Sequence, residues 1–294
     1  MSGAPPAPRY RSFTVVLPVH EEAARLERVL RYYQRFAPVV VVDDESTDGS
    51  AELARGCGAR VIRLRNAGTT QTPEWFRQVA GLLETEHFAV PSCSELLPAR
   101  LLARYDEVAR TGGADVVSTV RRVYTSGRLL TLWGDAPRVE RFFDRRGLDY
   151  DAIEIHAPFR PRDPARLLAL PPEPGYVITH LRDVDAVSLT RKHVAYAAVE
   201  ARHRAERGRP LQLGGLLKLS AIELIQLARQ GPRGWSGLAL RETWARLVMH
   251  ALVAWAGWEL RTGAGLEDSR RRNADLWDEL TREPGDGPDH GAAR

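Results

Sequence analysis

Apolar and polar positions follow two periods along the first part of the chain. Residues 13–17 form an apolar run that stops at Pro18, the mark of a buried strand. Over residues 22–36 the spacing changes, and Leu26, Val29, Leu30 and Tyr33 fall on one helical stripe. Four valines at 39–42 predict a second strand; residues 50–55 predict a short helix closing at Gly56 and Gly58; residues 60–64 predict a third strand. The same alternation continues with a helix over 73–84, a strand over 87–90 and a helix over 98–110 with Leu101, Leu102 and Tyr105 inward. A strand over 116–122 follows the turn at Gly112 and Gly113. Strands alternating with amphipathic helices predict βαβ units, and hence a mainly parallel central sheet flanked by helices. Residues 123–174 read as irregular, rich in Pro, Arg and aromatic side chains. After them the pattern turns helical over 186–207, 213–230 and 239–261.

Composition narrows the class without naming it. At 294 residues and 44% hydrophobic content the chain can bury a large core, and Cys57 and Cys93 are too few for a disulfide framework. The N-terminus lacks the charged, apolar, small-residue order of a signal peptide, so a cytoplasmic location is expected. A formal charge of +4, spread rather than blocked, argues against a nucleic-acid protein. The longest apolar stretch, 244–258, is too short to span a bilayer and contains Arg246 and His250.

The chemistry begins where the second strand ends. Residues 39–50 read VVVVDDESTDGS, an apolar strand running into Asp43 and Asp44 and then a turn. Open α/β sheets bind ligands in the crevice outside the carboxyl ends of their strands, so a doubled carboxylate there points to a site. From the residues alone, Asp43 and Asp44 could hold a metal, accept from a base or ribose, or cap the next helix as Asp48 and Ser50 can.

The motifs PVHEE at 18–22 and DDESTDGS at 43–50, with the interval between them, resemble the nucleotide-binding start of family 2 glycosyltransferases of the GT-A type. The resemblance covers about the first 110 residues closely. It extends more loosely to about residue 260, where the chain is similar to bacterial surface-glycan sugar transferases. It implies a GT-A (nucleotide-diphospho-sugar transferase) fold over residues 12–185, with a nucleotide-binding half at 12–122 and an acceptor half at 123–185. A helical C-terminal region at 186–262 follows, between a loose N-terminus (1–11) and a mobile tail (263–294). It also implies that His20 lies against the donor base, that Asp44 accepts from a uracil imide, and that Glu22 is the acidic position following. Pro18 would shape the pocket through its main chain, and Arg77 would face the diphosphate.

One departure stands out against that pattern. The family places an Asp-x-Asp after the next strand, where two carboxylates hold a divalent cation on the donor diphosphate. This chain has Ser92, Cys93 and Ser94 there, while Glu95 and Pro98 keep the register. Three readings stay open: Mg2+ or Mn2+ held by Glu95 and Asp43 with donor phosphates and water; a metal-free site in which arginines such as Arg77 and Arg141 stabilise the leaving group; or binding without transfer.

For the acceptor half, PRVERFF at 137–143 and IEIH at 153–156 loosely resemble the family's acceptor elements. Inverting transfer needs a base beside the acceptor hydroxyl, and Glu154 is the first choice, with Asp151 and His156 in reserve and Asp135 also within reach. His180 precedes a helix on which Lys192, Tyr196 and Glu200 are four apart, a face that can meet phosphate or pair internally. Trp235, Trp244, Leu247, Val248, Leu252, Trp255 and Trp258 give the last helices an aromatic stripe, suited to a core, to a homodimer interface or to the inner membrane surface.

The leading function is therefore a hexosyltransferase-like enzyme moving a sugar from a nucleotide-diphosphate donor, UDP-sugar first, to a hydroxyl of a small-molecule, glycan or lipid-linked acceptor with inversion. The chief rival is a non-catalytic nucleotide or glycan binder on the same domain. A nucleotidyltransferase ranks third, for want of a Gly-rich phosphate loop near the first strand.

Overall fold

In the computed structural model, residues 7–66, 72–125, 127–130, 137–153, 158–182, 185–230, 237–263 and 265–281 are described, the last segment with side chains through 277. Strands β1 (Phe13–Val19), β2 (Val39–Asp43), β3 (Arg60–Arg63) and β4 (His87–Ala89) are parallel neighbours in the order β3-β2-β1-β4. Beyond β4 the sheet continues through β8 (Arg138–Asp144), which runs antiparallel to both β4 and β6 (Val116–Thr125). Short β9 (Leu167–Ala169) lies parallel to the start of β6, and β10 (Ile178–Arg182) lies parallel to its end. The edge strand β5 (Glu95–Leu96) pairs antiparallel with β10, and β7 (Arg128–Leu129) folds back on β6.

Strand period two divides the core. Val15, Leu17, Val19, Val39 and Val41 face one side, where they meet Leu26 and Leu30 of α1 (Ala23–Tyr33) and Leu101, Leu102 and Tyr105 of α4 (Ala99–Thr111). Val16, Val40 and Val42 face the other, against Trp75, Phe76 and Val79 of α3 (Pro73–Leu82). Every residue of β2 is buried, as a strand covered on both faces must be. Helix α2 (Ser50–Gly56) links β2 to β3, and its N-cap Gly49 sits at φ +87°, a conformation that favours glycine.

The mainly parallel, helix-flanked sheet is the expected architecture, and four local expectations are revised. Helix α1 ends at Tyr33 rather than Phe36, because the chain turns back through Phe36 and Ala37 to enter β2. Helix α3 ends at Leu82, not Glu84. The stretch read as irregular supplies β7, β8, β9 and the end of β6. The segment read as a loose tail forms helix α8 (Leu266–Thr281).

The helical region packs mainly on itself. Helices α5 (Ala186–Glu206) and α6 (Leu213–Arg229) both lie against α7 (Gly237–Thr262), around a small core of Ala197, Ala201, Leu211, Met249 and Val253. It meets the sheet through a second small cluster, Val123, Leu130 and Ala239, and through an ion pair between Arg182 of β10 and Glu242 of α7 at 2.6 Å.

Candidate functional site

The loops after β1 and β2 lie side by side and are laced together. Asp44 N–H donates to Val19 O at 2.8 Å, and His20 Nδ1 donates to Asp44 O at 2.7 Å, which places the proton on Nδ1 because a carbonyl only accepts. Thr47 donates from both its N–H and its hydroxyl to Glu21 Oε1, and Ser46 Oγ accepts from Glu21 N–H. Among the described residues, Glu21 and Glu45 are the non-glycine residues with positive φ, at +55° and +54°. Left-handed geometry costs such residues about 1–3 kcal/mol, and here the lacing holds it in place at the crest of both loops.

Asp48 and Ser50 do cap a helix, but chiefly the one across the crevice. Asp48 Oδ2 accepts from Ala23 N–H and Ser50 Oγ accepts from Glu22 N–H, so both serve the start of α1, while Asp48 Oδ1 accepts from Ser50 within its own turn. Those hydrogen bonds hold the Asp48 carboxyl below the usual range. Glu22, at the N-cap of α1, pairs with Arg25 at 2.7 Å.

The doubled carboxylates differ. Asp44 is half-buried, with Oδ1 oriented by Asn66 N–H at 2.7 Å. Asp43 is fully buried, neither of its oxygens has a hydrogen-bond partner among the described residues, and Arg63 stands 3.9 Å away. A buried carboxylate without donors is costly, which is a reason to expect a ligand or an ordered water to supply them. An open cleft of about 320 Å³ lined by Glu45, Ser46, Arg63, Leu64 and Arg65 lies beside this pair.

The Ser92–Glu95 turn is built differently. Ser92 Oγ and Ser94 Oγ are 3.0 Å apart and hydrogen-bonded to each other. Glu95 is buried and closed in an arginine grip: Arg141 Nε and NH2 reach its two oxygens at 2.7 and 2.9 Å, and Arg121 NH1 adds a third contact at 3.1 Å. Burial alone would push the Glu95 carboxyl up, but Arg141 and then Arg121 outweigh it and hold it far below the usual range. Ser92 N–H also donates to Glu95, and Tyr33 OH donates to Glu95 O from α1, so the turn is fixed from both sides. Burial, with Glu22 nearby, pushes the Cys93 thiol up to about 12, which keeps it neutral.

This donor set does not fit a divalent cation. Glu95, expected as a weak ligand, is occupied by two guanidiniums; Cys93 is not a thiolate; the two hydroxyls bond to each other; and no cluster of three or more His, Cys, Asp or Glu side chains among the described residues could hold a metal. What the turn does present is guanidinium N–H groups. Arg121 and Arg141 face Glu95 and, beside Arg141, the Glu140 carboxylate; both keep some solvent contact, and Arg121 Nε is buried without a partner among the described residues. Beside them, burial pushes His180 down to about 3 despite the facing Glu95, so its imidazole is neutral.

Pro18, Ser92 and Arg141 come together with Glu140, Phe76, Val90, Phe143 and Phe159 around a cavity of about 70 Å³. Arg141 reaches it through a bulge: Val117 pairs with Phe142 but Ser118 pairs with Glu140, leaving Arg141 as the extra residue of β8 and turning consecutive side chains to the same cavity. Arg77 is elsewhere. It pairs with Asp151 and with Glu74 at 3.4 Å and lies over the Tyr150 ring, and Asp151 is 90% exposed. An exposed, ion-paired Asp151 is thus a poor reserve base. Glu154, His156, Asp135 and Trp235 lie outside the described residues. Lys192 lies over the Tyr196 ring and Glu200 pairs with Arg204, which is internal pairing on that helix face. Sequence reading passed over Arg121 and Glu140; their one visible sign was charge inside otherwise apolar strand runs.

No family model matches the sequence, and no curated protein matches it. Solved structures are similar to it. One is glucosyl-3-phosphoglycerate synthase from Mycobacterium tuberculosis in complex with Mn2+, uridine-diphosphate and glucosyl-3-phosphoglycerate, at 18% identity over 68% of this chain and 81% of that one, with a TM-score of 0.44. Another is mannosyl-3-phosphoglycerate synthase from Rubrobacter xylanophilus, at 14% identity over 67% and 75%, with a TM-score of 0.41. A third is S. aureus TarS 1–349 in complex with UDP-GlcNAc, at 15% identity over 85% and 92%, with a TM-score of 0.40.

Proposed function

We propose that this protein is a nucleotide-sugar-dependent glycosyltransferase of the GT-A type, with UDP-sugar as donor, and that arginines rather than a metal ion receive the donor diphosphate. The observation that carries the reading is the junction of the first two strand ends, where the His20 ring is bonded to the Asp44 main chain at 2.7 Å and the Asp44 carboxylate is oriented by Asn66 N–H. An exposed ring beside an oriented carboxylate suits a planar base that offers an N–H. Pro18 and Ser92 share a cavity with Arg141, and Arg121 joins Arg141 on Glu95, which supports the arginines as the diphosphate's partners.

In the proposed reaction the acceptor hydroxyl oxygen attacks the anomeric carbon from the face opposite the diphosphate. Its proton passes to a carboxylate, and the bond to the diphosphate oxygen breaks with inversion. Glu154 is the proposed base, on its place in the IEIH motif at 153–156. Negative charge on the leaving nucleotide builds near the two guanidiniums, whose grip on Glu95 preorganises them at no reorganisation cost during the step. The serine turn supports this reading, and it also favours the rival, a binder without transfer.

Two measurements separate these. UDP is expected to raise the melting temperature, and Asp44→Ala to abolish that rise. Sugar transfer or donor hydrolysis is expected to proceed unchanged in EDTA. Complete loss in EDTA restored by Mn2+ would refute the metal-free site, and a UDP response without any turnover across donors would leave only the binder.

A further inference from the structure

The helical region leaves apolar faces bare that its own packing does not use. On α6 the exposed positions fall within one half of the helix circumference, with Leu213, Leu217 and Leu224 along one edge and Ile225 and Ile222 toward the other. Lys218 and Arg229 are the charges on that face among the described residues, both cationic. The helix's one acid, Glu223, is turned inward, where it meets Arg246 at 2.6 Å and His250 at 3.4 Å. On α7 a narrower stripe of Leu240, Trp244, Trp255 and Trp258 is exposed, with Trp244 and Trp255 at 66% and 63%. Spaced by four, eleven and three residues, these side chains share one side of the helix over roughly 27 Å. Such indoles are not explained by the sheet, by α5 or by the core at Met249 and Val253.

We propose that the outward faces of α6 and α7 dock this protein on an anionic lipid surface, lying on it rather than crossing it. Charge selects the occupant. Residues 186–262 contain twelve Lys and Arg against five Asp and Glu, while the whole chain is only +4, so the positive charge is concentrated in the region with the bare apolar faces. On α6 a second copy of the same face would set Lys218 and Arg229 against like charges with no outward acid of that helix to meet them, whereas a leaflet of acidic headgroups complements them. Tryptophan adds to this, since its ring is apolar and its N–H polar, the combination favoured at the headgroup boundary. Trp255 already turns its N–H aside to Glu259 at 2.8 Å, leaving the ring body outward. Among the described residues no helix is long and apolar enough to cross a membrane. The inference stands independently of the reaction proposed above.

Flotation of the full-length chain with vesicles tests it. The protein is expected to float with vesicles of phosphatidylcholine containing about one third phosphatidylglycerol and to remain below with phosphatidylcholine alone, and its Trp emission is expected to shift blue only with the former. Trp244→Ser with Trp255→Ser should weaken binding at least about tenfold, and Lys218→Gln with Arg229→Gln about tenfold or more, with the salt sensitivity reduced. All four positions are exposed, so each variant should keep the wild-type melting temperature, and the UDP response should be unchanged. No flotation with anionic vesicles overturns the proposal. So does a concentration-dependent dimer, seen by sedimentation velocity, that Trp244→Ser and Trp255→Ser dissolve, for that would assign the face to a second copy.

Discussion

Two carboxylate stations, one at the end of β2 and one at β5, are built on opposite principles. At the end of β2, Asp43 and Asp44 stand with few partners: one is buried without a hydrogen bond and the other has a single oriented oxygen. At β5, Glu95 is saturated by two guanidiniums, a backbone N–H and a buried tyrosine beneath its own carbonyl. The first station has bonding capacity left for a ligand. The second has spent its capacity inside the fold and offers the remaining N–H groups of its arginines instead. A carboxylate near a crevice is thus not evidence of a metal; what matters is how many of its lone pairs the protein already uses.

The sharpest way to break this contrast is to remove the acid at each station. Glu95→Ala leaves two arginines facing each other without a counter-charge, and the expected loss is about 3–5 kcal/mol in urea unfolding. Asp43→Asn is expected to cost less than about 1 kcal/mol under the same assay, because neither Asp43 oxygen has a hydrogen bond to lose and its ion partner Arg63 is largely exposed, while weakening the UDP response. Equal losses at the two positions would erase the distinction.

A smaller effect probes the ground beside Glu95. His180 has a folded pKa of about 3, below the unfolded value near 6.5, so the unfolded chain takes up the proton first as the pH falls. Stability should therefore drop as the pH passes down through 6.5 and keep dropping toward 3, by about 1–2 kcal/mol between pH 7 and pH 5. His180→Gln should remove that part of the slope. His87 and His193 are lowered too, so the readout is the difference between the two proteins' unfolding midpoints at each pH, and an unchanged difference would place His180 in water.

The smallest test concerns the lacing at the first station. Asp48→Ala deletes the acceptor for Ala23 N–H, and the expected cost is about 1 kcal/mol. If the lacing orders the crevice, UDP affinity should fall with it; a stability loss with affinity intact would make Asp48 a cap only.

Much of this was legible in the chain itself. The βαβ order, both core faces and the crevice position of Asp43 and Asp44 follow from local periodicity, since a strand alternates every two residues and a helix every 3.6 wherever it sits. The replacement of two acids by Ser92 and Ser94 was likewise visible as spelling. The middle of the chain was not, because β8 and β9 pair with strands distant in sequence, and a bulge at Arg141 breaks the alternation that would have revealed β8. Helix α8 was read as tail because charge there masked a helical repeat.

What the sequence by itself determined is therefore the local part: which segments are strand or helix, which faces are apolar, and where two carboxylates stand at a strand end. Only tertiary structure decided what those groups do. Arg121 and Arg141 come from different strands to close on Glu95, Asp48 caps a helix that precedes it by 25 residues, and Arg77 turns to Asp151 instead of the crevice. The physical reason is that secondary structure answers to neighbours along the chain, while the state of a charge answers to whatever charges and donors the fold brings within a few ångströms of it.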